Sequence, residues 1–147
     1  MGPLYLLDTN ILVHYVRGDE TWRRIRERYS LLVHDPRPSI SIVSVGELRS
    51  LALQFNWQAA KISQMNFILN YFHRADIHSE PVLEAYSQID AHTRKLGQSM
   101  GKNDLWIAAT AKATGARILT TDRDFDFIDS IYVERDWIDP TPPPTVS

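Results

Sequence analysis

The chain has no cysteine, which excludes a disulfide framework and any thiolate metal site and leaves oxygen ligands and five histidines as the only metal donors. It also lacks an apolar run near the ~20 residues that a membrane-spanning helix needs. The opening MGPLYLLDTN has neither the basic start nor the long apolar stretch of a signal peptide. A cytoplasmic protein with no membrane association is therefore expected. Basic excess is missing too: the net charge is -2, so the whole-molecule field does not attract nucleic acid, and phosphate binding must come from local clusters or a metal. Arg23 to Arg28 (RRIRER) and Arg94, Lys95 and Lys102 supply such clusters, each of which also fits a solvated helix face.

What is present suits one ordinary globular domain. The 147 residues are 44% hydrophobic and 23% charged, enough apolar material for a single core. Leu4–Leu7 reads as a buried strand stopped by the polar DTN, followed by helices over Ile11–Val16 and Glu20–Val33. Ile40–Val43 reads as a second strand entering a helix that begins near Ser44 and ends near Phe55. A helical stripe over Trp57–Phe72 and a short strand at Ala75–Ile77 come next. Ser79, Pro81 and the stripe Val82, Tyr86, Ile89, Thr93, Leu96 define a helix ended by Gly97. Asn103–Thr114 forms another, ended by Gly115. Arg117–Thr120 is a strand emptying into TDRDF, and Ile131–Val133 is a last strand. Strands alternating with helices, without hairpin signals, predict an α/β fold with a parallel sheet. The domain is taken as residues 1–139, and the proline-rich 140–147 as a flexible C-terminal tail.

Ligands of open parallel sheets bind outside the carboxyl ends of the strands. Asp8 and Asp122 follow two predicted strands, and Glu47 and Asp104 lie near the starts of helices that begin at that edge. Four carboxylates on one rim repel each other unless a cation is present, and magnesium, with oxygen ligands and several retained waters, suits such a site. The implied chemistry is phosphodiester hydrolysis. Each acid also fits a structural role: Asp8 an Asx turn or N-cap, Glu47 a capping box with Ser44, Asp104 a first-turn acid, and Asp122, Asp124 and Asp126 turn acids. Their coincidence at the expected rim favours the metal site.

The chain resembles the PIN-domain family, and within it the VapC-type toxins. The resemblance rests on LLDTNILV (6–13), SVGEL (44–48), NDLWIAATA (103–111) and ILTTDRDF (118–125), in the family's order. It implies a three-layer sandwich, a central parallel sheet flanked by helices, with Asp8, Glu47, Asp104 and Asp122 as catalytic and metal-binding residues. Asn10, Thr120 and Thr121 look like partners that hold those carboxylates. Asp124 and Asp126 are left without a role. The resemblance further implies a Mg²⁺- or Mn²⁺-dependent endoribonuclease acting on RNA, a homodimer, and a cognate antitoxin.

Other readings are narrower. A dehalogenase-like phosphotransferase wants a second acid two residues after Asp8, where Asn10 stands. A PIN-like RNA-processing nuclease outside a toxin-antitoxin pair, or a non-catalytic interaction module of the same fold, differs from the toxin in role rather than in architecture. Trp22, Trp57, Phe55 and Tyr71 are read first as core and second as partner anchors. Of the histidines only His73 and His78 are near each other, and structural or surface roles are expected for all five.

Overall fold

A computed structural model describes residues 2–141. Five strands, β1 (Tyr5–Leu7), β2 (Ser39–Ser41), β3 (His73–Ala75), β4 (Arg117–Thr120) and β5 (Glu134–Trp137), form one parallel sheet in the order β3-β2-β1-β4-β5. Six helices accompany them: α1 (Thr9–Arg17), α2 (Glu20–Tyr29), α3 (Ile42–Gln54), α4 (Ala59–Tyr71), α5 (Glu80–Lys95) and α6 (Lys102–Thr114). This is the expected α/β sandwich. Among the described residues no helix is long and apolar enough to cross a membrane.

Strand alternation builds the three layers. Leu7 and Leu119 point to one face, where they pack with Ile11, Leu12, Ile25, Leu48 and Ile68 from α1 to α4. Leu6 and Ile118 point to the other, against Ile89 of α5 and Leu105 and Ala108 of α6. Because β1 and β4 pair with Leu6 beside Ile118 and Leu7 beside Leu119, both faces of the central strands are dry. That double burial explains why β1 and β4 read as continuous apolar runs.

Several boundaries depart from expectation. The second helix stops at Tyr29 because Ser30 takes a left-handed conformation, φ 51°. The second strand ends at Ser41, whose hydroxyl accepts the Val43 N–H and caps α3, so the helix begins before Ser44. β3 lies two residues earlier than expected. The last strand is Glu134–Trp137 rather than Ile131–Val133, where only Val133 makes an isolated bridge, to Asp129. As an edge strand it tolerates charges that a central strand would not.

Phe55 is exposed, 67%, a correction to its expected place in the core, whereas Trp22 is buried at 8%. The expected tail falls outside the described residues except for Pro140 and Thr141. These two lie on α2: Thr21 Oγ1 donates to the Pro140 carbonyl at 3.3 Å, and Arg24 Nη2 to that of Thr141 at 3.4 Å.

Candidate active site

β1 carries the chain to Asp8, whose amide continues the ladder by donating to the Leu119 carbonyl of β4 at 2.9 Å. This bond fixes Asp8 at the carboxyl edge of the two central strands. Its carboxylate, 4% exposed, accepts the Thr9 N–H at 2.8 Å, the Thr120 hydroxyl at 2.7 Å and Asn10 Nδ2 at 3.1 Å. The N-cap role anticipated for Asp8 is therefore real, and it uses one oxygen; the other faces Asn10 and Thr120. Burial raises the Asp8 pKa to about 6 despite these donors, with the charges of Asp122 and Glu47 adding to the effect.

Glu47 sits one and a half turns into α3, too far in for a capping box, because Ser41 and not Ser44 is the cap. The structural alternative for this glutamate is thereby removed. The Thr9 hydroxyl lies 2.8 Å from both Glu47 Oε1 and the buried Ser44 Oγ, and its single proton favours the charged acceptor. Thr9 is a site residue that motif reading passed over; its only signal was the middle position of DTN.

Asp104 lies in the first turn of α6. Among the described residues no side-chain hydrogen bond reaches it, and it faces the N-terminal end of the helix. Burial first, and then the charges of Asp8, Asp124, Asp122 and Glu47, raise its pKa to about 7. An acid stationed there only to face the helix dipole would be pushed the other way.

Asp122 follows β4 and is exposed. Its N–H donates to Thr120 Oγ1 at 3.0 Å, so one hydroxyl ties Asp8 to the loop that carries Asp122. Thr121 contributes differently than expected: its backbone N–H donates to Asn10 Oδ1 at 3.2 Å, and among the described residues its hydroxyl holds no carboxylate. Asp124, to which the sequence assigns no role, acts electrostatically on Asp104 and lines a cleft of about 450 Å³ with Asp104, Arg123, Gly101 and Phe127. Asp126 turns away to Arg123 and Arg135, at 3.3 and 2.8 Å.

The structure thus brings Asp8, Glu47, Asp104 and Asp122 to one rim, where the charges of Glu47 and Asp122 act on both Asp8 and Asp104. Among the described residues, however, no three acid or histidine side chains close up into a ready cage for an ion. Mutual repulsion explains both facts: uncompensated carboxylates resist approach and hold their protons. The donor set is all oxygen and open on one side, which fits a hard divalent ion that keeps water and substrate among its ligands. His73 and His78 join no such group; His78 pairs with Asp76 at 3.2 Å.

The family model described as PIN domain matches residues 5–130. The chain belongs to the PIN-domain family. Toxin FitB of Neisseria gonorrhoeae is 28% identical to it over 141 residues, covering 92% of this chain and 100% of the relative. Ribonuclease VapC4 of Mycobacterium tuberculosis is 33% identical over 96 residues, covering 64% of this chain and 73% of its own. Among solved structures, VapBC-1 from nontypeable Haemophilus influenzae superposes with a TM-score of 0.73 at 25% identity, over 91% of this chain and 97% of that chain. All four acids of the rim lie within the matched residues 5–130.

Proposed function

We propose that this PIN-domain protein is a Mg²⁺- or Mn²⁺-dependent endoribonuclease that serves as the toxin of a toxin-antitoxin pair. The observation that carries the reading is the pair Asp8 and Asp104: burial and repulsion raise both carboxyls to about 6 and 7, a strained arrangement that a divalent cation relieves. The relatives named ribonuclease and toxin support the substrate and the biological role.

Asp8 and Asp104 would hold the ion, with Asp122 completing the pocket and Glu47 reaching it directly or through water. When bound, the ion supplies Lewis acidity for phosphodiester hydrolysis by activating water and neutralising charge on the phosphate. The protein's own contributions are positional. Thr120 and Asn10 aim the inner oxygen of Asp8 toward the rim, Thr9 steadies Glu47, and Glu47 is placed to orient or deprotonate the attacking water.

A toxin made inside a cell needs restraint, and a protein antitoxin is the proposed partner, acting on a homodimer. Exposed Leu53 and Phe55, with a groove of about 300 Å³ lined by Val13, Arg17, Leu51, Phe55, Trp57 and Lys61, support a protein partner near α3.

The test is cleavage of labelled structured RNAs and matched DNA by partner-free protein with EDTA, Mg²⁺ or Mn²⁺, beside Asp8→Asn and Asp104→Asn. Metal-dependent cutting of RNA that both variants lose is expected. Equal cutting by wild type and variants would assign the activity to a contaminant. No cutting of any RNA with metal demonstrably bound would favour the non-catalytic module.

A further inference from the structure

The acid rim poses a problem that the ion solves only at the phosphate being cut. The neighbouring phosphates of an RNA strand meet a chain of net charge -2 and a rim where Asp8, Glu47, Asp122 and Asp124 surround Asp104, so a cation beside the rim has to hold the strand. Arg123 stands where that cation is needed. It follows Asp122 directly, lines the cleft shared by Asp104 and Asp124, and leaves its side chain 62% exposed.

Arg123 is not a loose surface arginine. Its guanidinium lies 3.7 Å from the centroid of the Trp137 ring, a stacking distance. Trp137 is itself fixed: its indole N–H donates to the Thr121 carbonyl at 3.0 Å, and it pairs with Thr120 in the register of β4 and β5. The guanidinium is thus held on the same short segment that supports Asp8 and Asp122. Stacking uses its face and not its edge. Among the described residues the Arg123 side chain makes one hydrogen bond, Nη1 to Asp126 Oδ2 at 3.3 Å, and Asp126 already has Arg135 at 2.8 Å. With one hydrogen bond among the described residues and a side chain 62% exposed, the guanidinium keeps donors available at the edge of the cleft that Asp104 and Asp124 line.

We propose that Arg123, stacked on Trp137, docks a backbone phosphate of the RNA strand flanking the cleaved bond, with Trp137 as the residue that positions it. The inference rests on the ribonuclease reading above. Trp137 also lines a depression of about 340 Å³ with Arg24, Arg28 and Asp139, where Arg24 Nη2 is held by the Asp139 and Thr141 carbonyls, so the docking role falls on Arg123 itself.

The experiment measures binding and not turnover. Full-length Asp104→Asn protein, which does not cut, is titrated into fluorescent single-stranded RNA in EDTA at several salt concentrations and read by anisotropy. Adding Arg123→Gln is expected to weaken binding roughly tenfold, the loss of one charge-assisted hydrogen bond, and to flatten the log–log salt slope by roughly 0.7, one phosphate contact on a single strand. Trp137→Leu weakens binding while removing no charge, and Trp137→Phe, which keeps an aromatic face, restores most of it. Lys112→Gln, at the opposite end of the strands beside Pro3 and Gly115, removes the same charge without effect. Thermal melts confirm that each variant is folded.

Arg123→Gln protein that binds as tightly as its parent, or a Lys112→Gln loss of equal size, overturns the proposal. Metal-dependent cutting by the Asp104-intact protein is scored separately. Cutting with unchanged Arg123→Gln binding sinks the docking role alone, and the binding pattern without cutting sinks the nuclease alone.

Discussion

Thr9 and Glu47, 38 positions apart in sequence, meet at 2.8 Å between the first turn of α1 and the second turn of α3. The contact joins the strand end that carries Asp8 to the helix that carries Glu47, and among the described residues no hydrogen bond reaches the glutamate's other oxygen. Thr9→Val keeps the shape and removes the donor. It should cost about 1 kcal/mol of stability and lower kcat more than it raises KM, because Glu47 is left unsteered. Thr9→Ser should restore both. A kcat unchanged in Thr9→Val would show that Glu47 needs no such guide.

Asp104→Asn exchanges a carboxyl strained by burial and four neighbouring acids for a neutral isostere. The metal-free variant should melt at a higher temperature than the wild type, while losing both cleavage and the upward Tm shift that Mg²⁺ or Mn²⁺ gives the wild type. Stability gained at the expense of activity is the signature of a site organised around a missing charge. A lower Tm in the metal-free variant would mean that Asp104 stabilises the fold by itself.

The pH dependence follows from the same two groups. Asp8 and Asp104 titrate near 6 and 7 in the folded chain against 3.8 unperturbed. Between those limits the folded state binds more protons than the unfolded one, so ∂ΔG/∂pH is negative. Their contribution is fully present below pH ~4, is lost as pH rises to ~7, and is flat above that. Metal competes with these protons, so the Tm shift from saturating Mg²⁺ should grow from pH 5 to pH 8. Chemical denaturation of wild type and Asp104→Asn across this range isolates the Asp104 share. Parallel pH profiles for the two would refute it.

Much of this arrangement was legible in the sequence, for identifiable reasons. β1 and β4 are buried on both faces and read as apolar runs, and the polar residues that stop them, Asp8 and Thr121–Asp122, mark the edge where a parallel sheet binds its ligand. What escaped notice was either solvated or tertiary. β5 carries Glu134, Arg135 and Asp136 because it is an edge strand, and its charges resemble a loop. Ser41 and Ser44 are both plausible caps in sequence, and only the fold shows that Ser44 is buried against Thr9, which releases Glu47 from a capping role. Arg123, in the loop after β4, meets Trp137 of β5, a contact that no local pattern announces.

Thr120 links the two halves of the rim. Its hydroxyl, fully buried, donates to Asp8 Oδ2 at 2.7 Å and accepts from the Asp122 N–H at 3.0 Å. Thr120→Val leaves that N–H without its partner and strips Asp8 of the hydrogen bond that does most to hold its pKa down against burial. A stability loss of about 1–3 kcal/mol is expected. The informative readout is the pH profile: with Asp8 harder to ionise, metal affinity and cleavage should rise at higher pH than in the wild type, whereas Thr120→Ser should retain the original profile. A variant that is merely less stable, with its metal-binding profile unmoved, would show that Thr120 supports the loop and leaves the charge of Asp8 unaffected.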